Sequence, residues 1–454
     1  MTLIKSISGI RGTIGGKVGD NFTPMDIVEC TAAFATWVKR QHPKAKIITG
    51  RDGRMSGNVV SQLAINTLLA MGIDVIDLGY STTPTVEMAV PFLHAQAGII
   101  FTASHNPKQW NALKFLNHKG EFISAEDGDA ILSIIDHKDT IFADVDHFGR
   151  LETRDDMISM HIDRILQSEF VDVNSVKQAS LRVVVDCINS TGAIAIPPLL
   201  EALGVEFTLL YDDDFGNFAH NPEPLPAHLA ELSQKVISTN AHMGISIDPD
   251  VDRLAFVCED GSMFGEEYTL VAVADYILSI KGGNTVSNLS STRALADVTR
   301  RHGGQYFASA VGEVNVVNTM KSHQAVIGGE GNGGVIVPEL HYGRDAMAGI
   351  AIFLTLVAKQ KKSLTQLKAS YPSYVILKDK IDLNNNDQYQ HILNNLKAAF
   401  ANEKTNDIDG LKIDFDAGWV HFRKSNTEPI IRIYAEANDE ATAKALIDKV
   451  KNKM

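Results

Sequence analysis

The sequence has little of what a disulfide-stapled, membrane-embedded or nucleic-acid-binding chain requires. Only three cysteines occur in 454 residues. Cys30, Cys187 and Cys258 are far apart and show no metal-binding spacing, so they read as reduced core residues. A cationic surplus is also missing. The net charge of −13 argues against nucleic acid as a partner, because a phosphate backbone needs a basic surface. It leaves room for a local basic pocket that takes a phosphorylated small molecule. The longest mostly apolar run, 346–358, is too short to cross a bilayer and reads as a core helix, so no membrane partner is expected. The opening Met1-Thr2-Leu3-Ile4-Lys5 lacks the charged-then-apolar pattern of a secretory signal, and the expected compartment is the cytoplasm.

Hydrophobic residues make up 44% of the chain and charged residues 21%, the balance of a soluble globular protein. The length exceeds one ordinary domain and suggests three or four. A repeated unit supports this. Lys46 to Thr49 reads as a strand, followed by a Gly/Arg/Asp turn, a helix over 59–71, Gly72 and a strand over 74–78. Arg182 to Asp186 leads through a polar turn to a helix ending near Leu203, then Gly204 and a strand over 205–210. Thr285 to Leu289 leads through Ser290-Ser291-Thr292 to a helix, Gly303-Gly304 and a strand over 305–308. Each is a βαβ pattern, in which a polar turn caps the helix and glycine stops it, with a parallel sheet expected. The tail differs: two strands between Trp419 and Ala437 and a capped amphipathic helix over 439–451 make a small α+β module. Boundaries fall at 1–149, 150–254, 255–370 and 371–454.

Four loops carry candidate chemistry. Thr102-Ala103-Ser104-His105-Asn106-Pro107 follows the apolar run 97–101, so it presents a serine and an imidazole at a strand end, where open α/β sheets hold ligands. Asp248-Pro249-Asp250-Val251-Asp252-Arg253 sets three carboxylates at alternate positions, a donor set for a hard cation; a phosphorylated serine would add an anionic oxygen. A calcium-binding EF-hand is excluded, because Arg253 stands where the sharp turn needs glycine and 254–258 reads as an apolar strand. A solvated acidic turn stays open at this point. Gly328-Gly329-Glu330-Gly331-Asn332-Gly333-Gly334 matches neither a P-loop nor a dinucleotide fingerprint. Its lone carboxylate suits sugar hydroxyls, and a glycine-rich hairpin is equally compatible. Arg423-Lys424-Ser425-Asn426-Thr427-Glu428-Pro429, with Arg432 beyond, collects cations and hydroxyls into an anion cradle or a solvated charged turn.

These four loops, in this order and spacing, resemble the four signatures of the α-D-phosphohexomutases, and Gly9-Ile10-Arg11-Gly12 resembles that family's opening motif. The resemblance covers essentially the whole chain. It implies an α/β fold, with three related mixed α/β domains plus a smaller C-terminal α+β domain around a central cleft. It also implies movement of a phosphoryl group between the 1- and 6-positions of a hexose phosphate. Ser104 would be the phosphoserine, and Ser104, Asp248, Asp250 and Asp252 would hold Mg²⁺. Arg11, Lys114 and Arg253 would stabilise the phosphoryl group or shuttle a proton, with His105 assisting. Glu330 and Asn332 would bind the sugar, while Arg423, Ser425, Asn426, Thr427 and Arg432 would grip the phosphate not being transferred. A bisphosphorylated hexose is the implied intermediate and activator, and the enzyme would act as a monomer or homodimer. The favoured substrate is glucosamine 6-phosphate. Asn332, where many members have serine, and Gly334, where some have histidine, depart from the family's sugar loop, and the Pro249-Asp250-Val251 sequence is closer to many phosphomannomutases and phosphoglucomutases, the alternative activity. A sugar-phosphate-binding protein without catalysis is the reading from another class, and retention of Ser104 and all three aspartates argues against it.

Overall fold

A computed structural model describes residues 2–6, 9–383, 386–425 and 430–454. The chain divides into two compact units, one made of 1–269 with 333–366 and the other of 270–332 with 367–454. The fold is the expected mixture of α/β layers followed by a smaller α+β module.

In the first unit, a seven-stranded sheet runs in the order Ile4–Ser6, Gly9–Thr13, Trp110–Leu116, Ala97–Phe101, Lys46–Arg51, Asp74–Tyr80, Leu151–Thr153. Its centre is parallel: Lys46–Arg51 pairs with both Asp74–Tyr80 and Ala97–Phe101 in that sense. Both faces of such strands are covered, so Ala97–Phe101 is buried at every position and reads as an unbroken apolar run. Trp110–Leu116, which brings Lys114 beside Ile100, is antiparallel to Ala97–Phe101. The repeat noted in the sequence does not contain this strand. A second sheet runs Leu254–Cys258, Met243–Ile247, Arg182–Asp186, Glu206–Leu210. Met243–Ile247 and Leu254–Cys258 form an antiparallel hairpin whose last pair is Ile247 with Leu254. The six residues 248–253 are therefore its loop. Helix Ala346–Gln360 is buried through Ala358, as its apolar run requires. Cys30, Cys187 and Cys258 are free and buried. Among the described residues no helix is long and apolar enough to cross a membrane.

In the second unit, Asn284–Asn288 pairs in parallel with Tyr306–Ser309 and with Ala325–Glu330. A five-stranded antiparallel sheet follows, in the order Val375–Asp382, Ile430–Ala437, Gly418–Lys424, Leu411–Phe415, Lys404–Asn406. Helix Glu440–Lys451, N-capped by Asp439 through the Thr442 N–H, packs Ala443, Leu446, Ile447 and Val450 onto it. This sheet is joined to 270–332 by buried polar groups. Glu436, fully buried, accepts from Trp419 Nε1 at 2.7 Å and from the Arg293 N–H at 3.1 Å. Lys412 Nζ donates to the Leu289 carbonyl at 2.9 Å, and Ser290 Oγ lies 2.9 Å from His421 Nδ1. These bonds tie the C-terminal sheet to 270–332 within the second unit.

Burial lifts the Glu436 carboxyl above its ordinary range despite these donors, so each donor matters. Trp419→Phe removes one N–H from the buried Glu436 carboxyl and, because the indole is fully buried, also leaves part of its volume unfilled. It should cost about 1–3 kcal/mol in urea unfolding, the scale for a buried group left short of a partner.

Candidate active site

The aspartate loop folds back on itself. Asp248 Oδ1 accepts from the backbone N–H groups of Asp252 and Arg253, each at 3.0 Å, and the Val251 N–H reaches the Asp248 carbonyl at 3.1 Å. Closing the loop this tightly puts Val251 at φ 61°, in the left-handed region. That is unusual for a β-branched residue and stores strain on the order of 1–3 kcal/mol. Neighbours hold it there. Ser190 and Thr191 donate to the Pro249 carbonyl at 2.6 and 2.9 Å. The Thr83 N–H donates to the Asp250 carbonyl at 2.9 Å, and the Ala346 N–H to the Val251 carbonyl at 3.2 Å.

All three aspartates are completely buried. One oxygen each of Asp250 and Asp252 is occupied: Asp250 Oδ2 accepts from Thr83 Oγ1 at 2.6 Å and Lys114 Nζ at 2.9 Å, and Asp252 Oδ2 accepts from Arg344 Nη2 at 2.7 Å. Asp250 Oδ1 and Asp252 Oδ1 are buried with no hydrogen-bond partner among the described residues. Carboxylate oxygens of all three lie within 4.8 Å of one another. Buried anionic oxygens without donors are costly unless a cation meets them, and an all-oxygen set suits a hard divalent ion such as Mg²⁺. The residues fit the implied metal.

Ser104 joins this group directly. Its Oγ donates to Asp248 Oδ2 at 2.8 Å and lies 3.3 Å from His105 Nδ1. The serine sits at φ 47°, and the loop around it is built by Arg54. That fully buried guanidinium donates to the carbonyls of Ser104, Asn106, Pro107 and Trp110, and its Nε donates to Asp52 at 3.0 Å. Asp52 in turn accepts from Thr102 Oγ1, which accepts from the Ser104 N–H at 2.8 Å. Five donors in a planar fork suit this work.

Electrostatics follow from the crowding. Burial, then Asp252 and Asp250, hold the Asp248 carboxyl well above its ordinary range. Burial pushes Asp250 the same way, but Lys114 and Thr83 outweigh it and bring it below the usual carboxylate range. Burial would lower Lys114; Asp250 and Asp252 overcome this and raise it, so it stays an ammonium. Burial together with Arg253 and Arg344 keeps His105 well below its ordinary value, a neutral imidazole. Arg253 Nε is buried without a hydrogen-bond partner among the described residues, 4.0 Å from Asp248 Oδ2 and from Asp252 Oδ1. Arg11 lies on Gly9–Thr13, its Cα opposite Ala112, two residues before Lys114.

The first unit thus brings together Ser104, His105, Lys114, Arg253 and the three aspartates. Arg54, Thr83 and Arg344 were missed in the sequence. Arg54 lay within the Gly/Arg/Asp turn after Lys46–Arg51, and Arg344 immediately precedes the apolar helix, but neither belongs to a loop with a chemical signature of its own.

The other site candidates lie in the second unit. Glu330 ends strand Ala325–Glu330, nearly buried, and its Oε1 accepts from Asn288 Nδ2 at 2.9 Å and the Gly312 N–H at 3.2 Å. The carboxylate belongs to the strand rather than to a hairpin tip, and Asn332 follows it half-buried. Arg423 and Arg432 are directly opposite across the strand pair. Like charges in such positions repel, which an anion would relieve. Arg423 Nη1 donates to Asp409 Oδ2 at 3.2 Å, and the Ser425 N–H donates to the Ile430 carbonyl at 2.9 Å. Asn426 and Thr427 lie outside the described residues.

Comparison with known proteins gives the chain's family. Four models of phosphoglucomutase/phosphomannomutase match the chain: alpha/beta/alpha domain I over 3–141, domain II over 159–261, domain III over 265–374 and the C-terminal domain over 377–453. The chain is 33% identical to a phosphoglucomutase/phosphomannomutase of Thermococcus kodakarensis, covering 96% of each. It is 32% identical to a relative from Methanopyrus kandleri named "probable phosphoglucosamine mutase", covering 97% of this chain and 95% of that one. The crystal structure of a phosphoglucomutase/phosphomannomutase family protein from Burkholderia thailandensis superposes with a TM-score of 0.86 at 26% identity, covering 99% of this chain and 96% of the other. With all four segments matched in order and with relatives of this identity along nearly its whole length, the chain belongs to the phosphoglucomutase/phosphomannomutase family of phosphohexomutases.

Proposed function

We propose that the protein interconverts glucosamine 6-phosphate and glucosamine 1-phosphate through a phosphoserine at Ser104. The hydrogen bond from Ser104 Oγ to Asp248, inside a trio of buried aspartates, is the observation that carries this reading. The phosphoryl group passes from Ser104 Oγ to a free hydroxyl of the hexose monophosphate, giving a bisphosphorylated sugar and a free serine. The sugar then turns, its other phosphate returns to Ser104, and the isomeric monophosphate leaves. Nothing is hydrolysed, and the hydroxyl proton lost in the first transfer is balanced by the one gained at the sugar oxygen in the second.

Ser104, Asp248, Asp250 and Asp252 would hold Mg²⁺, which supplies charge neutralisation around the moving group when bound. Lys114, as an ammonium, and Arg253, with a buried Nε directed at the aspartates, are suited to the developing charge on phosphoryl oxygens. Arg11 shares that task, and His105, neutral and beside Oγ, is suited to relaying a proton. Glu330 and Asn332 are assigned to the sugar hydroxyls. Arg423, Ser425, Asn426, Thr427 and Arg432 are assigned to the phosphate that is not moving. A bisphosphorylated hexose would prime an unphosphorylated serine. The name of the Thermococcus relative and the Pro249-Asp250-Val251 sequence favour a second reading, with glucose or mannose phosphates as substrates.

A coupled assay of glucosamine, glucose and mannose 6-phosphates decides between the two substrates, with the highest kcat/KM expected for glucosamine 6-phosphate. Ser104→Ala should lower turnover by on the order of 10⁴-fold or more, the scale seen when a covalent nucleophile is lost. Intact mass should show a phosphorylated fraction only with Ser104 present. Wild-type turnover in the alanine variant would end the phosphoserine reading.

Mg²⁺ affinity should fall as pH falls. Asp248 holds its proton to a higher pH than an ordinary carboxyl, so cation and proton compete, and binding must release the proton. Calorimetry in two buffers of different ionisation heat should show proton release on the acidic side and less of it as pH rises. Arg423→Ala should lower kcat/KM about 10- to 150-fold, from the roughly 1.5–3 kcal/mol of a charge-assisted hydrogen bond. Equal affinity for sugar phosphates in that variant would make the cluster a solvated turn.

A further inference from the structure

A second buried charged cluster lies in the first unit and has no part in the chemistry above. It draws Glu87 from helix Thr83–Phe92, His161 from helix Met157–Leu166, and His341 and Asp345 from the loop leading into helix Ala346–Gln360. His341 stands between two carboxylates, with Nδ1 3.3 Å from Glu87 Oε2 and Nε2 3.2 Å from Asp345 Oδ2. His161 Nε2 reaches the same Asp345 oxygen at 2.9 Å. Glu87, His161 and Asp345 are essentially without solvent contact. The loop backbone presses on the Glu87 carboxylate so closely that a Cβ at Gly343 would fall 1.8 Å from Oε2.

Thr82 Oγ1 donates to Thr85 Oγ1 at 2.7 Å, and the Thr85 hydroxyl lies 3.0 Å from His161 Nδ1. With the Asp345 carboxylate shared and Glu87 on the far side, His341 is flanked by two carboxylates and the His161 ring. Burial would lower its proton affinity, but Asp345 and Glu87 raise it to about 10. The ring is an imidazolium closing two carboxylates. His161, His341 and Asp345 also present ligand atoms within 4.8 Å of one another, so a bound transition metal is the competing occupant.

The anchored segments are the ones that grip the aspartate loop. Thr83, one turn before Glu87, holds Asp250 through its N–H and Oγ1. Arg344 and Ala346, on either side of Asp345, hold Asp252 and the Val251 carbonyl. Asp345 itself caps the following helix by accepting from the Ala348 N–H at 3.0 Å. We propose that Glu87, His341 and Asp345 form a charge clamp that draws these two grips together and so sets the aspartate loop in its cation-binding geometry. The three are positioning residues: they touch neither cation nor substrate. The proposal rests on the functional reading above and adds to it the device that holds the strained loop.

The test is calorimetric Mg²⁺ binding to wild type, His341→Gln and Glu87→Gln, with thermal unfolding and the Mg²⁺ dependence of turnover measured in parallel. His341→Gln should weaken Mg²⁺ binding about 10-fold, the lower end of what loss of an outer supporting residue costs a metal site. The Mg²⁺ concentration for half-maximal turnover should rise by the same factor, while KM for the hexose phosphate at saturating Mg²⁺ stays at the wild-type value. Glu87→Gln, which keeps an oxygen for Nδ1–H, should shift both quantities in the same direction by less. It carries the test alone if His341→Gln does not fold. A purely structural cluster would lower the unfolding midpoint and leave the folded protein's Mg²⁺ affinity intact, and that result overturns the clamp. Stoichiometric Zn²⁺ retained by wild type and lost in His341→Gln also overturns it, since the site would then hold a metal. A wild type that binds no Mg²⁺ fails the functional reading and the clamp with it, whereas wild-type affinity in both variants fails the clamp alone.

Discussion

Three carboxylates buried within 4.8 Å of each other set the terms for the rest of the first unit. Left alone they repel, and desolvation makes the repulsion worse. The surrounding residues answer this in part. Lys114 and Arg344 each take one oxygen of an aspartate, Thr83 adds a hydroxyl, and two backbone N–H groups turn inward to Asp248. The compensation is incomplete in a directed way, with one oxygen each of Asp250 and Asp252 left without a donor among the described residues. A loop designed only for stability would have closed those positions. The open oxygens suit a hard cation, and the Ser104 hydroxyl, donating to Asp248, lies beside the same centre.

Much of this was legible in the sequence, for identifiable reasons. Ser104 and the three aspartates stand in short polar segments after fully buried strands, and a strand with both faces covered announces itself as an unbroken apolar run. The βαβ units were readable because each carries a polar turn, a helix and a glycine stop in order, and all three pairs are parallel as expected, although none of the three helices has the expected side-chain N-cap hydrogen bond. What escaped the reading was long-range. Arg54 reaches carbonyls about 50 residues away in the chain, and Arg344 reaches an aspartate 92 residues away. No local pattern encodes such a partner. The antiparallel strand Trp110–Leu116 was hidden for another reason: its alternation is blurred because nearly all of its residues are buried. Glu330 was placed in a glycine-rich loop because its neighbours are glycines, yet parallel pairing with Asn284–Asn288 runs as far as Gly329 and the strand ends on Glu330.

The second unit handles charge by the opposite device. Instead of crowding anions, it sets Arg423 and Arg432 opposite each other on paired strands, and it lends Arg423 the Asp409 carboxylate, which also accepts from the Val311 N–H at 3.0 Å. Asp409 keeps the guanidinium oriented without consuming all five of its donors. The buried Glu436 then ties the sheet that bears these arginines to the segment that bears Asn288, the donor to Glu330. Glu330 and the Arg423–Arg432 pair are therefore linked through one network of buried hydrogen bonds inside this unit.

The left-handed backbone at Val251 has a consequence for how the molecule comes to exist. A β-branched residue does not hold that conformation in an isolated hairpin, where nothing opposes its return to a relaxed one. Its restraints come from Thr83, Ser190, Thr191 and Ala346, segments separated from it by up to about 170 residues of chain. The hairpin can form early, but the arrangement of its carboxylates cannot, because contacts of that sequence separation close late in folding. Partly folded chains thus hold the aspartates without holding them in place. A cation that met only the finished site would stabilise the native state by an amount set by its free concentration relative to its dissociation constant.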